Sequence, residues 1–111
     1  MLGLEHAAAI THEALGDDPV RFFAVLSRNP ARIAQLRASD DRVRLTAHGG
    51  DVAVGEDANL VIFDPTITWT VDATTLASRA NNTPYNNRQL HGKVRSTIVR
   101  GQLVVHEGAL Q

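Results

Sequence analysis

Histidines and carboxylates are the residues here whose types could do chemistry. The five histidines are His6, His12, His48, His91 and His106. A metal site needs three or four converging ligands, and no HExxH, HxH or paired-cysteine spacing brings these together. His6 and His12 stand six apart, on different faces of a helix, and His12-Glu13 lacks a second His four residues on. All five read as exposed or structural. There is no cysteine, so neither a thiolate ligand nor a Cys nucleophile is available. No GxSxG elbow occurs, and the glycines of Gly49–Gly55 lack the lysine and hydroxyl of a phosphate loop. They read as a turn into a strand. Carboxylates are plentiful, but none sits in an apolar run that would raise it into a general acid. Tyr85, in NNTPYNN, could touch a ligand, although packing under a hairpin suits a loop tyrosine better. Lys93 and Arg95 read as solvated charges. From the residues alone the catalytic, substrate-binding and metal-ligand sets are all empty.

The whole composition agrees with a modest role. The 111 residues fit one small domain at most, and a formal net charge of -1 gives no electrostatic reason to expect nucleic acid or an anionic membrane as partner. No apolar run approaches the ~20 residues of a membrane span, and the N-terminus lacks the basic head of a signal peptide. The expectation is a cytoplasmic chain.

The elements that would position these residues follow an order of helices first, strands second. Residues 2–15 carry Leu4, Ala7, Ala8, Thr11 and Leu15 at helical spacing, with Gly16 placed to end the helix. Asp18-Pro19 opens a second helix, with Asp18 as cap and Phe22, Phe23 and Leu26 as its stripe. Asn29-Pro30 is expected to restart a third, turning Ala31, Ile33, Ala34 and Leu36 inward. Residues 37–50 read as a charged linker ending in Gly49-Gly50. Val52 and Val54 alternate as a strand would, and Leu60–Phe63 resembles a strand buried on both faces. Asp64-Pro65 should stop it. Trp69 and Val71 suggest a further short strand, Asp72 a helical turn through Ser78, and residues 81–89 a loop. Val94–Arg100 and Gln102–Val105 form a hairpin about Arg100-Gly101, where glycine supplies positive φ. Residues 106–111 read as a polar tail. A lone hairpin is barely stable in water, so this one must join a larger sheet.

Four blocks carry a family resemblance: SRNPARIAQL, VAVGEDANLVIFDP, TWTV, and SRANNTPYNNRQLHGKVRSTIVRGQLVV. Their order and spacing resemble the C-terminal part of a dihydroorotase, in the amidohydrolase superfamily. Asn59 ahead of LVIFDP, with TWTV following, is similar to actinobacterial members. Allantoinases share a TPY…L.GKV…TIVRG tail, so an allantoinase or hydantoinase subtype stays open.

The resemblance implies an α+β fragment. Residues 1–36 would be the last helices of a (β/α)₈ amidohydrolase barrel, 37–50 a linker, and 51–111 the C-terminal part of a small β-sandwich. It also implies a zinc-activated hydroxide interconverting dihydroorotate and N-carbamoyl-aspartate in pyrimidine biosynthesis. In a typical member the zinc ligands and catalytic base precede the block that here reads Met1-Leu2-Gly3-Leu4-Glu5. The chain is therefore expected to bind no zinc and to be inactive in isolation. Its partner would be an N-terminal barrel fragment, or it would serve as a non-catalytic module complementing one.

Overall fold

The computed structural model describes residues 3–36 and 52–111. The expected linker 37–50 lies outside the described residues. The order is helices and then an antiparallel sheet, an α+β arrangement. A 3₁₀ turn, Leu4–His6, runs into α1, Ala7–Leu15; α2 is Pro19–Phe23 and α3 is Asn29–Ile33. The strands are β1, Leu60–Thr70, β2, Gln89–Val99, β3, Gln102–His106, and β4, Ala109–Leu110, in the spatial order β1-β2-β3-β4.

The helix starts and stops largely follow the local signals. Gly16 ends α1 at φ +67, and its N–H reaches His12 O at 2.8 Å. Asp18 caps α2 by accepting the Arg21 N–H at 2.9 Å, and Pro19 sits in the first turn, where no partner for an N–H is needed. Asn29-Pro30 does not restart a helix. The backbone stays helical through Asn29, at φ -69 and ψ -46, after a π turn over Ala24–Arg28. In that turn the Asn29 N–H reaches back five residues to Ala24 O. Widening the turn just before a proline makes room for its ring against the preceding carbonyls.

The helix faces also differ from the expected ones. In the first helix His6 and Ala9 are buried and Ile10 packs on the core, while Leu4 is 94% exposed. Of the later stripe, Phe22 and Ala31 are buried, and Phe23, Leu26 and Ile33 are exposed. Counting aliphatic residues missed the true inward line because a histidine lies on it.

No strand forms at Val52 or Val54, both of which stand in solvent. Leu60–Phe63 is a strand, but Val61 and Ile62 are exposed rather than covered on both faces. Asp64-Pro65 does not end β1. Between the pairs Asp64↔Lys93 and Thr68↔His91, residues Pro65, Thr66 and Ile67 stand against Gly92 alone. This bulge, on a strand paired on one side among the described residues, absorbs the missing proline N–H. It also joins Trp69 to the same strand. The expected helical turn after Asp72 is an Asx turn instead: Asp72 Oδ1 accepts Thr74 N–H at 2.8 Å and Thr74 Oγ1–H at 2.7 Å. The hairpin turns at Arg100-Gly101, with φ +50 and +77, as a two-residue turn between right-twisted strands requires. The expected polar tail turns again at Glu107-Gly108, φ +49 and +81, and returns as β4.

The core lies where α1 crosses β2. Ala9, Val71 and Leu90 are buried together, with Ile10, Trp69 and Tyr85 packed against them.

Candidate functional site

The side chains that could do chemistry collect along this α1–sheet seam, and packing engages most of them. The 3₁₀ turn and α1 place two imidazoles against the sheet at two levels. At the first level His6, fully buried, stacks on Trp69 with ring centroids 6.0 Å apart and planes 16° apart, and meets Tyr85 at 5.7 Å. Trp69 is fixed by donating its indole N–H to Gly92 O at 3.0 Å. At the second level His12 meets Phe63 at 5.5 Å and Phe22 at 6.4 Å, both edge-on, and Phe22 lies 4.7 Å from Phe63. The edge-on geometry suits ring quadrupoles.

Two carboxylates clasp the helix to the sheet side. Glu5 accepts the N–H groups of Ala77 at 3.1 Å and Ser78 at 3.3 Å. Glu13 accepts Arg88 Nη2 at 2.9 Å and the His91 N–H at 3.2 Å.

The remaining sequence candidates fall outside any shared centre. His91 Nδ1 lies 3.1 Å from Thr68 Oγ1, and His106 ends β3 in solvent. His48 lies outside the described residues, as do Gly49 and Gly50. Tyr85 packs beneath the sheet seam, with Arg88 5.7 Å from its ring centre. The reading of Lys93 and Arg95 as plain solvated charges is corrected. Lys93 Nζ lies 5.6 Å over the Trp69 ring, and Arg95 pairs with Glu107 through two nitrogens. Sequence spacing could not find these contacts, because the bulges set which side chains face one another.

The titrating groups with displaced equilibria lie on the surface. Hydrogen bonds from the Thr66 hydroxyl and N–H hold Asp64 below the usual carboxylate range, and Thr74 does the same for Asp72. The Arg95 hydrogen bonds lower Glu107 and raise Arg95 in turn. No three His, Cys, Asp or Glu side chains converge among the described residues. These residues do not fit a zinc centre: His6 sits among aromatic rings, and His12 faces phenylalanines.

Two concavities flank the seam. A cleft of ≈560 Å³ is lined by His12, Asp17, Phe22, Phe23 and Phe63. A groove of ≈780 Å³ runs between the helices and the start of β1, lined by Phe23, Leu26, Leu60, Val61 and Ile98. The side of β1 away from β2 carries no strand among the described residues. Among the described residues no helix is long and apolar enough to cross a membrane.

No family model matches the sequence. It is 39% identical to the dihydroorotase of Mycobacterium tuberculosis strain H37Rv over 115 residues, covering 100% of this chain and 25% of that protein. With the dihydroorotase of Streptomyces coelicolor it shares 36% identity over 114 residues, covering 99% of this chain and 24% of the relative. The chain thus spans about a quarter of the length of these curated relatives. The backbone is similar to that of a D-hydantoinase (dihydropyrimidinase) from Thermus sp., with a TM-score of 0.79 at 21% identity, over 100% of this chain and 23% of that one. At that identity the likeness is one of fold.

Proposed function

We propose, from the premise that this chain matches the C-terminal quarter of dihydroorotases along its whole length, that it is the sheet-bearing part of a cyclic-amide hydrolase. The observation that carries this reading is the 39% identity over the full chain. The reaction would interconvert dihydroorotate and N-carbamoyl-aspartate, in pyrimidine biosynthesis and in the cytoplasm. Residues 1–36 would close the barrel side, 37–50 would link, and 51–111 would form part of the β-sandwich.

The chain contributes shape rather than chemistry to that reaction. Among the described residues the imidazoles are engaged by rings, by Thr68 or by solvent; His12 Nε2 also lies 3.9 Å from the exposed Asp17 carboxylate, and no third ligand joins that pair. Zinc and the base that works with it would come from the barrel portion, and the isolated chain would be inactive. The side of β1 that pairs with no strand among the described residues, and the apolar groove beside it, give that portion a place to add strands.

A second reading makes the chain the tail of a hydantoinase- or allantoinase-type enzyme. The backbone likeness to the Thermus hydantoinase, one of fold, fits it. The higher identity to dihydroorotases ranks it second.

Assays with dihydroorotate and with hydantoin test both readings. The purified chain with zinc should turn over neither. Co-expressed with the N-terminal three quarters of a dihydroorotase, it should co-purify and restore dihydroorotate turnover. Chelator-sensitive activity of the chain alone would overturn the inert reading, failure to co-purify would overturn the complementation, and assembly with the matching part of a hydantoinase rather than of a dihydroorotase would favour the second reading.

A further inference from the structure

His6 is fully buried, and neither ring nitrogen has a hydrogen-bond partner among the described residues. Buried polar atoms without partners are rare and costly, so this position calls for an explanation. The ring is held by Trp69 and Tyr85, and the core residues Ala9, Val71 and Leu90 lie in the same seam. A neutral imidazole leaves one N–H donor unmatched there. An imidazolium would leave two, together with a full charge.

The charged groups around the slot have partners of their own. On the same turn, Glu5 is occupied by the N–H groups of Ala77 and Ser78. From α1, Glu13 is taken by Arg88 and the His91 N–H. From β2, Lys93 lies over the Trp69 ring; from the loop before β2, Arg88 lies over the Tyr85 ring, and Asp72 is turned to Thr74. Each of the two rings beside His6 therefore already has one cation against it.

We propose that His6 is an acid-sensitive pin: the Leu4–His6 turn stays docked while its ring is neutral, and protonation releases the turn together with the hold of Glu5 on residues 77–78. Imidazoles as a class change charge between about pH 5 and 8, which sets the window in which the device is tested. Release takes up one proton. The docked form is therefore favoured at the upper end of that window and lost as pH falls, with the opening constant rising about tenfold per pH unit below the midpoint.

Trp69 is the only tryptophan in the chain, so its emission reads this stack. The full chain is titrated from pH 7.5 to 5.5, above the range where free carboxylates protonate. Trp69 emission is followed together with the His6 ring ¹⁵N signals and the exchange of the Ala77 and Ser78 amides, corrected for intrinsic rates. A one-proton emission change should accompany a roughly tenfold loss of protection per pH unit. His6→Phe should abolish both while His12, His91 and His106 remain. An emission change that survives in His6→Phe overturns the proposal. So does a flat wild-type titration, or a His6 ring that takes a proton while both amides stay protected. If His6→Phe fails to fold, the wild-type ring and amide signals decide the matter.

Discussion

Phe63 fills the space that a side chain on Gly92 would need: a β-carbon there would stand 2.3 Å from Phe63 Cζ and 3.1 Å from His12 Cδ2. Gly92 also sits at φ +86, buried, opposite the bulge in β1, and its carbonyl receives the Trp69 indole. One backbone position thus carries the Phe63, His12 and Trp69 contacts at once. Gly92→Ala should cost roughly 2–4 kcal/mol, combining overpacking with left-handed strain. Urea unfolding of Gly92→Ala, Phe63→Leu and the double variant checks the origin. The double variant should be less destabilised than the sum by at least about 1 kcal/mol, because the smaller side chain frees the same space.

Glu13 joins α1 to the sheet through the Arg88 guanidinium and the His91 N–H. The ion pair is partly exposed, at 54% for the Arg88 side chain and 23% for Glu13, so solvent screens it and its own worth is at most about 1 kcal/mol. The bond to the backbone N–H is less easily replaced. Glu13→Gln keeps an acceptor for that N–H, whereas Glu13→Ala removes it. Glu13→Ala should therefore expose the His91 amide to exchange more than Glu13→Gln does, and high salt should narrow the wild-type advantage over both variants by the same ion-pair share, leaving the gap between the two variants unchanged.

Acid should erode the sheet surface in a predictable direction. The Thr66 hydroxyl and N–H hold Asp64 low, Thr74 holds Asp72 low, and Arg95 holds Glu107 low. A carboxyl lowered in the folded state binds its proton more readily when unfolded. Its contribution is complete above the ordinary carboxylate value of about 4 and is lost as pH falls through the lower folded value. Below about pH 4 thermal midpoints should fall further, beyond any loss that His6 contributes at higher pH. Thr66→Ala and Thr74→Ala should each make that acid limb shallower. An unchanged slope in both variants would remove these hydrogen bonds as its cause.

The elements legible in the sequence were those fixed within a few residues of chain. Gly16 ended a helix, Asp18-Pro19 began one, and Arg100-Gly101 turned a hairpin, each by local backbone chemistry. Longer-range compensation hid the rest. Asp64-Pro65 carries a strong stop signal, yet three residues set against Gly92 let β1 continue. Pro30 carries the same signal in a helix, and a π turn relieved it. The seam was hardest to read because its inward line begins with His6, and a polarity pattern assigns a histidine to solvent.

The two β-turns offer a matched comparison. Arg100 and Glu107 each hold a left-handed φ, at +50 and +49, ahead of a glycine. Such a backbone strains most side chains and suits asparagine, so each turn pays a similar conformational cost. Their side chains differ in use. Glu107 receives Arg95, whereas the contact of Arg100 is through its backbone N–H, to Asn59 Oδ1 at 3.0 Å. An asparagine at 100 keeps that N–H and relieves the strain, so Arg100→Asn should stabilise the chain by about 0.5–1 kcal/mol. Glu107→Asn relieves the same strain but frees Arg95, so its thermal midpoint should rise less than that of Arg100→Asn. In an Arg95→Ala background the ion pair is already gone. There the two asparagine substitutions should raise the midpoint equally, and a persisting gap between them would mean that the Arg95–Glu107 pair is not what separates the turns.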